Sequence, residues 1–449
     1  MRILFITTRP PYGRMTGHKM GLRTYVQALQ AMGHTVIVAS FAIPGDEVAP
    51  ADNDLGAETH FLALPSRRRI LGNILRQHLT NTLSLNECLY VCPAAAEHIN
   101  QLIDRRSIDF VFVDMIRTAR YGQQAKRPWM LDHDDLLSER YAAWASKQGS
   151  EQKAILGYLE PVIPKSLHAP TRWVFQRLLR REARILAKRE LYWTQQAPAS
   201  SLRTDQEVTL LRRHLPSAQV YRMSVSVPIP PRTAGELARR PMDCMFIGGL
   251  TYQPNLDALI AYLRDIVPAF ERMNITVPTL KVIGAAPAEL RQQVMHPRLE
   301  FLGYVPDVTA ELQAAQCFFA PIVSGTGVKI KVLEALAAGV PVIGYPMGLS
   351  GINGQPGRDF LLAETASDFV RCFKRLRDDP EFAVAVGVAG RALAIKQHSL
   401  DAAVNVLRPE LEMAFRRLGL ASGLAPTTPP SPDLVSPDLA LPGLAPGLA

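Results

Sequence analysis

The sequence predicts an α/β protein built from two Rossmann-like, doubly wound parallel-sheet domains that face each other across a cleft. Three observations lead there. The 449 residues exceed what one hydrophobic core usually serves. Short continuous apolar runs alternate with helical patterns, which marks parallel strands covered on both faces. The alternation loosens around 216–242, where proline, arginine and small residues collect in "SVSVPIPPRTAGELARRPMD", and then restarts.

In the first half, "ILFIT" (3–7) reads as a buried strand. "KMGLRTYVQALQAMG" (19–33) has helical spacing at Leu22, Tyr25, Val26 and Leu29 and stops on Gly33. Further strands are expected at 34–41, 59–64, 109–115, 128–133 and, in "LYWTQQ", 191–196. In the second half, strands are expected at 244–249, 279–285, 299–305, 317–322 and 340–345, with helices between them and two more helical segments at 366–378 and 380–418. The expected domains are therefore 1–215 and 243–395, joined by a linker at 216–242. A helix at 396–418 is placed to cross back to the first domain. Residues 420–449 repeat Leu, Ala, Pro and Gly without a period and read as a disordered tail.

Composition narrows the function. Hydrophobic residues make up 47% of the chain, yet no apolar run reaches the roughly 18 residues that span a bilayer. "MRILFITTRPP" lacks the apolar core of a signal peptide, so a cytoplasmic address is expected. The formal charge of +9 favours anionic partners such as nucleotides, phosphates or acidic lipid. No zinc-finger spacing or aromatic RNA-binding strand is present, and nucleic acid is not expected as a partner. Cys88 and Cys92 form a lone C-x3-C pair, read as two buried small side chains rather than a metal site.

Chemistry concentrates in two glycine turns. The first, "TTRPPYGRMTGHKMG", lacks both the dinucleotide and the P-loop fingerprints, but a glycine at a helix start can let a phosphate approach the backbone N–H groups. The second opens "GTGVKIKVLEALAAGVPVIG" (325–344). Helical spacing from Val328 places Gly327, Lys331 and Glu334 on one face, with Lys329 on another or in the turn. A lysine beside a diphosphate can neutralise it, and a carboxylate one turn on can accept two hydroxyl hydrogen bonds. The bland alternative is an exposed Lys331–Glu334 pair at i, i+3.

These residues carry a resemblance. "GTGVKIKVLEALAAGVPVIG" resembles the signature of retaining, family 4-type glycosyltransferases (glycosyl transferases group 1), which have the GT-B fold. "FIGGLTYQPNLDALIAYLRDIVPAF" (246–270) and "MLDHDDLLSERY" (130–141) are similar to segments of a bacterial exopolysaccharide branch. The resemblance implies a nucleotide-sugar donor held mainly by the second domain, a glycan or lipid-linked acceptor, and no metal or other cofactor. Glu334 corresponds to the glutamate that grips the donor ribose, and Lys329 and Lys331 to basic residues near the diphosphate. It also implies donor contacts at Gly17, Gly248, Gly325, Thr326 and Gly327, and a nucleobase loop "GYVPD" with Tyr304 and Val305. Two departures stand out. Thr326 replaces the first glutamate of an E-x7-E pattern, and Gly249 with "YQPN" replaces an Arg and Lys-Gly element. A catalytically silent sugar-nucleotide-binding or scaffold protein and a nucleotide-sugar epimerase are the alternatives.

The acidic strand end "LDHDDLLSERY" places Asp132, His133 and Asp134 at the carboxyl end of a strand. His133 is expected near the acceptor hydroxyl, because a neutral imidazole can take a proton near pH 7. Asp132 and Asp134 are its expected acceptor-side neighbours. Arg177, Arg181, Arg184 and Lys188 share one face of "RWVFQRLLRREARILAKREL" (172–191), and "SRRRI" (66–70) adds charge. A solvated helix face explains them; contact with an anionic membrane is the functional alternative.

Overall fold

The computed structural model describes residues 1–13, 15–41, 52–146, 168–231, 240–325 and 327–417. Thr326, residues 232–239 of the expected linker and the 420–449 tail lie outside the described residues. The described chain forms two parallel sheets flanked by helices. The first has seven strands in the order β3-β2-β1-β4-β5-β6-β7: β1 (Arg2–Thr7), β2 (Thr35–Phe41), β3 (Glu58–Leu62), β4 (Phe110–Asp114), β5 (Trp129–Asp132), β6 (Ser200–Leu202) and β7 (Val220–Arg222). The second has six in the order β10-β9-β8-β11-β12-β13: β8 (Arg240–Ile247), β9 (Thr279–Ile283), β10 (Leu299–Gly303), β11 (Ala315–Ala320), β12 (Val342–Gly344) and β13 (Leu361–Leu362).

Strand sequence explains the layering. Side chains alternate across the sheet, so Leu4 and Ile6 enter one buried cluster while Ile3 and Phe5 enter the other. In the second sheet Cys244 and Phe246 take one side and Met245 the other. The central strands β1 and β4 are buried on both faces along nearly their whole length and are accordingly almost continuous apolar runs. Cys244 and Cys317 lie opposite each other in the β8–β11 register, and both are buried free thiols.

Seven helices matter below: α1 (Gly17–Ala31), α2 (Arg67–Asn73), α3 (His168–Gln196), α4 (Gln253–Ala261), α5 (Ile330–Ala337), α6 (Pro380–His398) and α7 (Leu400–Arg417). Thr16 caps α1, its hydroxyl accepting from Lys19 N–H at 3.3 Å. α6 packs Leu393 and Ala394 into the core of the second domain. The chain then crosses: α7 buries Leu407, Leu411, Ala414 and Phe415 beside Leu22, Tyr25 and Phe110 of the first.

Two sequence expectations differ from the structure. "LYWTQQ" is not a strand but the last two turns of α3. Its aromatic and β-branched content favours a strand locally, yet Trp193 and Thr194 are buried on one side of a helix while Tyr192 and Gln195 are exposed. The 216–242 stretch is not all linker, because β7 pairs with β6 and β8 begins at Arg240.

Candidate functional site

Two helix starts converge between the sheets. β1 leads into α1 at Gly17, and β11 leads through 321–329 into α5 at Ile330. A Cβ on Gly17 would sit 4.0 Å from Ile330 Cγ1, so the two N-termini are in van der Waals reach. Each carries unpaired backbone N–H groups and the positive end of a helix dipole. Their convergence makes a place for an anionic group.

The second turn needs its glycines. Gly325 and Gly327 have φ of +103° and +69°, left-handed values that cost little only without a Cβ. The turn is anchored to α4 through Ser324, whose hydroxyl donates to Asp257 Oδ2 at 3.0 Å. Lys329 precedes the first turn of α5, and its ammonium donates to Gly327 O at 2.6 Å. Burial pulls its pKa down to about 8.

Lys331 does not pair with Glu334. Its ammonium donates to Asn255 Oδ1 and lies 4.5 Å from the centroid of the Phe246 ring. Asn255 is held in turn by its own amide, which donates to Gly249 O at 2.9 Å. Gly248 leaves the room this requires: a Cβ there would stand 2.5 Å from Asn255 Cγ and 2.7 Å from Lys331 Nζ. Burial lowers the Lys331 pKa to about 7, with help from Lys329 and against the pull of Glu334.

Glu334 is half-buried on α5 and has no hydrogen-bond partner among the described residues. Burial raises its pKa to about 7, with Lys331 opposing. A carboxylate so placed has lone pairs to offer and lacks donors of its own. The bland reading of an exposed Lys331–Glu334 pair therefore fails: neither side chain is exposed, and the lysine is turned to Asn255. Tyr304 and Val305 follow β10; Tyr304 is 90% exposed, while Val305 packs against the domain core.

On the first domain the acidic strand end divides by side. Asp132 is fully buried, accepting from Ser201 Oγ at 2.8 Å and Arg203 at 2.6 Å. Asp134, in a left-handed conformation with φ +63°, accepts from the same guanidinium at 3.0 Å. Arg203 is held above its ordinary range, since the two carboxylates outweigh its burial. His133 points the other way. It is 1% exposed, its Nε2 lies 2.9 Å from Thr194 Oγ1 on α3, and burial drops its pKa to about 3. The expectation that His133 reaches an acceptor is corrected, because strand alternation turns it under α3. Asp132 is likewise sealed inside its network, and only Asp134 retains partial exposure.

A different histidine stands at the cleft. His18 follows Gly17 on α1 and donates from Nε2 to Asp114 Oδ1 at 2.8 Å. Asp114 ends β4 and also accepts from Thr8 N–H at 2.9 Å and Thr8 Oγ1 at 2.6 Å. Burial acts to lower the His18 pKa, but the Asp114 and Asp134 charges outweigh it and the net shift is upward. Sequence reasoning named neither His18 nor Asn255. The signals were their places: His18 directly after the turn glycine, and Asn255 inside the departing "YQPN". Nothing in the sequence pairs residue 18 with residue 114.

Residues 241–379 match the family model of glycosyl transferases group 1. No curated protein matches the chain in sequence. Among solved structures, sucrose-phosphate synthase from Thermosynechococcus elongatus is similar with a TM-score of 0.62 at 17% identity, over 93% of this chain and 99% of that one. HepE from Anabaena, in complex with UDP, gives a TM-score of 0.60 at 13% identity, over 92% of this chain and 100% of that one. The lipopolysaccharide outer core galactosyltransferase WaaB, in its apo form, gives 0.56 at 13%, over 92% and 99%. At such identities the likeness is one of fold. The chain thus has the two-domain GT-B fold, and residues 241–379, in its second domain, are similar to the glycosyl transferases group 1 family.

Proposed function

We propose that this protein is a hexosyltransferase-type glycosyltransferase. It moves a sugar from a nucleotide donor to a glycan or lipid-linked acceptor, with retention at the anomeric carbon, in the synthesis of cell-surface polysaccharide. The observation that carries the reading is Glu334: a half-buried carboxylate without a hydrogen-bond partner among the described residues, one turn beyond Lys331 on a helix that starts at the cleft. The ribose hydroxyls of a nucleotide would satisfy it. The diphosphate would then lie against Gly325, Gly327 and the two helix starts, near Lys329 and Lys331. Such a donor agrees with UDP and UDP-glucose in structures of the similar HepE.

In the reaction the bond from the anomeric carbon to the diphosphate oxygen breaks, and the diphosphate leaves with the electron pair. The acceptor oxygen bonds to the same face of the sugar, and its proton passes to the departing diphosphate. Charge grows on the leaving group, so aligned N–H dipoles and ammonium groups stabilise the transition state more than the ground state. Lys331 suits this role. With a pKa near 7 it is only partly charged in the free protein, and an arriving diphosphate would draw a proton onto it. His18, whose charged form Asp114 favours, would add to the positive character of the cleft from the first domain. Thr326 stands where many similar enzymes carry a glutamate that holds the sugar hydroxyls, so contacts to the sugar would come from elsewhere in the cleft.

Incubation with a panel of sugar nucleotides, followed by product analysis, tests the proposal. Transfer or slow hydrolysis supports it. Binding without turnover points to a silent sugar-nucleotide protein, and an epimerised sugar to an epimerase.

A further inference from the structure

One helix of the first domain has an apolar side that the fold does not use. No residue of α2 is buried, and in the π-helical turn that continues it, Ile74–His78, only His78 is. Helices of this length are normally stabilised by packing an apolar face. Here Leu71, Leu75 and Leu79 are 57%, 54% and 58% exposed. In an α-helix the third of three residues spaced by four drifts about 80° around the axis. The wider turn rotates less per residue and brings Leu79 back toward the line of the other two.

Charge surrounds this row. Arg67, Arg68 and Arg69 occupy the first turn of α2 and are exposed, and Arg76 follows in the wide turn. Cations at a helix start oppose the helix dipole, so these arginines do not serve the helix. No aspartate or glutamate occurs from Thr59 to Asn86 to neutralise them. The far end is fixed: Arg181 of α3 donates to His78 O at 2.6 Å, and Leu178, 42% exposed, lies one turn before it. Arg181 is thereby spent on an internal contact, and the α3 face is not the free basic stripe that its sequence implies.

We propose that α2 and its π-helical extension dock this protein on an anionic phospholipid surface, with Leu71, Leu75 and Leu79 entering the headgroup boundary and the arginines meeting the lipid phosphates. An apolar row flanked by arginines is what an interfacial helix presents. A second copy of the chain fits poorly, because it would set arginine against arginine. No helix among the described residues is long and apolar enough to cross a membrane, so the contact is peripheral.

The test is sedimentation of the full chain with vesicles of phosphatidylcholine, alone or with added phosphatidylglycerol, at low and high salt. It needs no sugar nucleotide, so its outcome is independent of the proposed transfer activity. Wild type should bind the anionic vesicles at least about tenfold better and lose this with salt. Leu71→Ser, Leu75→Ser and Leu79→Ser combined should cut partitioning about tenfold or more. Arg68→Gln and Arg69→Gln should each cut it about fivefold. Arg371→Gln, the same charge change on the second domain, should leave it unchanged. Thermal melting should be unaltered in all, since every substituted side chain is exposed. Equal binding to both vesicle types, full binding by the leucine variant, or an equal loss in Arg371→Gln would overturn the proposal. So would self-association in solution that depends on the three leucines.

Discussion

At the scale of single residues, two side chains carry opposite burdens. Lys331 and Glu334 both have pKa values moved to about 7, one downward and one upward, chiefly by burial. Their effects on nucleotide binding then oppose each other. A diphosphate favours protonated Lys331, so affinity should fall as pH rises above about 7 toward the higher value of the bound state. Ribose hydroxyls favour ionised Glu334, so affinity should fall as pH drops below about 7. UDP titrations across pH, corrected for the ligand's own ionisation, should give a bell. Lys331→Met should remove its alkaline limb and weaken binding by about 1–3 kcal/mol. Asn255→Ala, which frees the lysine from its hydrogen-bonded seat, should weaken it less; a larger loss would mean that Asn255 itself meets the ligand.

His18 and Asp114 make a second pair with a definite sign. The raised pKa of His18 means that the pair's stabilisation is complete below the ordinary histidine value of about 6.5 and fades as pH rises through the folded value. Asp114 is depressed: burial opposes ionisation, but His18 and the Thr8 donors outweigh it. Its contribution is present above about 3.9 and is lost as pH falls through the folded value. Asp114→Asn should lower the His18 pKa, seen in an NMR titration, and flatten the alkaline decline in thermal stability. A histidine signal that titrates unchanged would show that the pair does not exist in solution.

At the scale of elements, legibility followed apolar periodicity. β1, β4 and β11 are continuous buried runs and were readable as such. β6, β7 and β13, reading SSL, VYR and LL, are too short for any period to show. The end of α3 was misread because strand-favouring residues sit on a helix that tertiary packing dictates. At the acidic strand end the position was legible and the facing was not: alternation sends Asp132 and His133 to opposite sides, and only the three-dimensional neighbours reveal which side opens on the cleft. The 325–334 turn and helix were legible because their glycines, lysines and glutamate are local to one another. Partners such as Asn255 and Asp114 come from distant segments.

α7 is the element with the clearest energetic consequence. It closes the chain's crossing by burying Leu407, Leu411 and Phe415 against the first domain, although it follows the second in sequence. Leu411→Ala should cost about 2–5 kcal/mol, the range for large-to-small changes in a core. Calorimetry should assign the loss to the first domain, with nucleotide-dependent stabilisation of the second retained. A loss confined to the second domain would contradict the packing described.

At the scale of the whole molecule, the two sheets bring two helix starts into contact, and contacts across the cleft hold them there. Asn353 donates to Asp205 Oδ2 at 2.7 Å, joining the segment after β12 to the helix after β6. Behind the cleft the chain crossing is pinned where Val227 N–H donates to His398 O at 2.8 Å. The proposed anion site would therefore be shared between domains, while Glu334, the proposed ribose anchor, lies on the second alone. The most direct measurement separates that anchor from the rest: calorimetric titration of wild type and Glu334→Gln with UDP and with its 2′,3′-dideoxy analogue. Wild type should bind UDP more tightly than the analogue, and Glu334→Gln should bind the two almost alike, with unchanged thermal stability of the free protein. If wild type binds both ligands equally, Glu334 is not a ribose anchor and the donor arrangement is wrong.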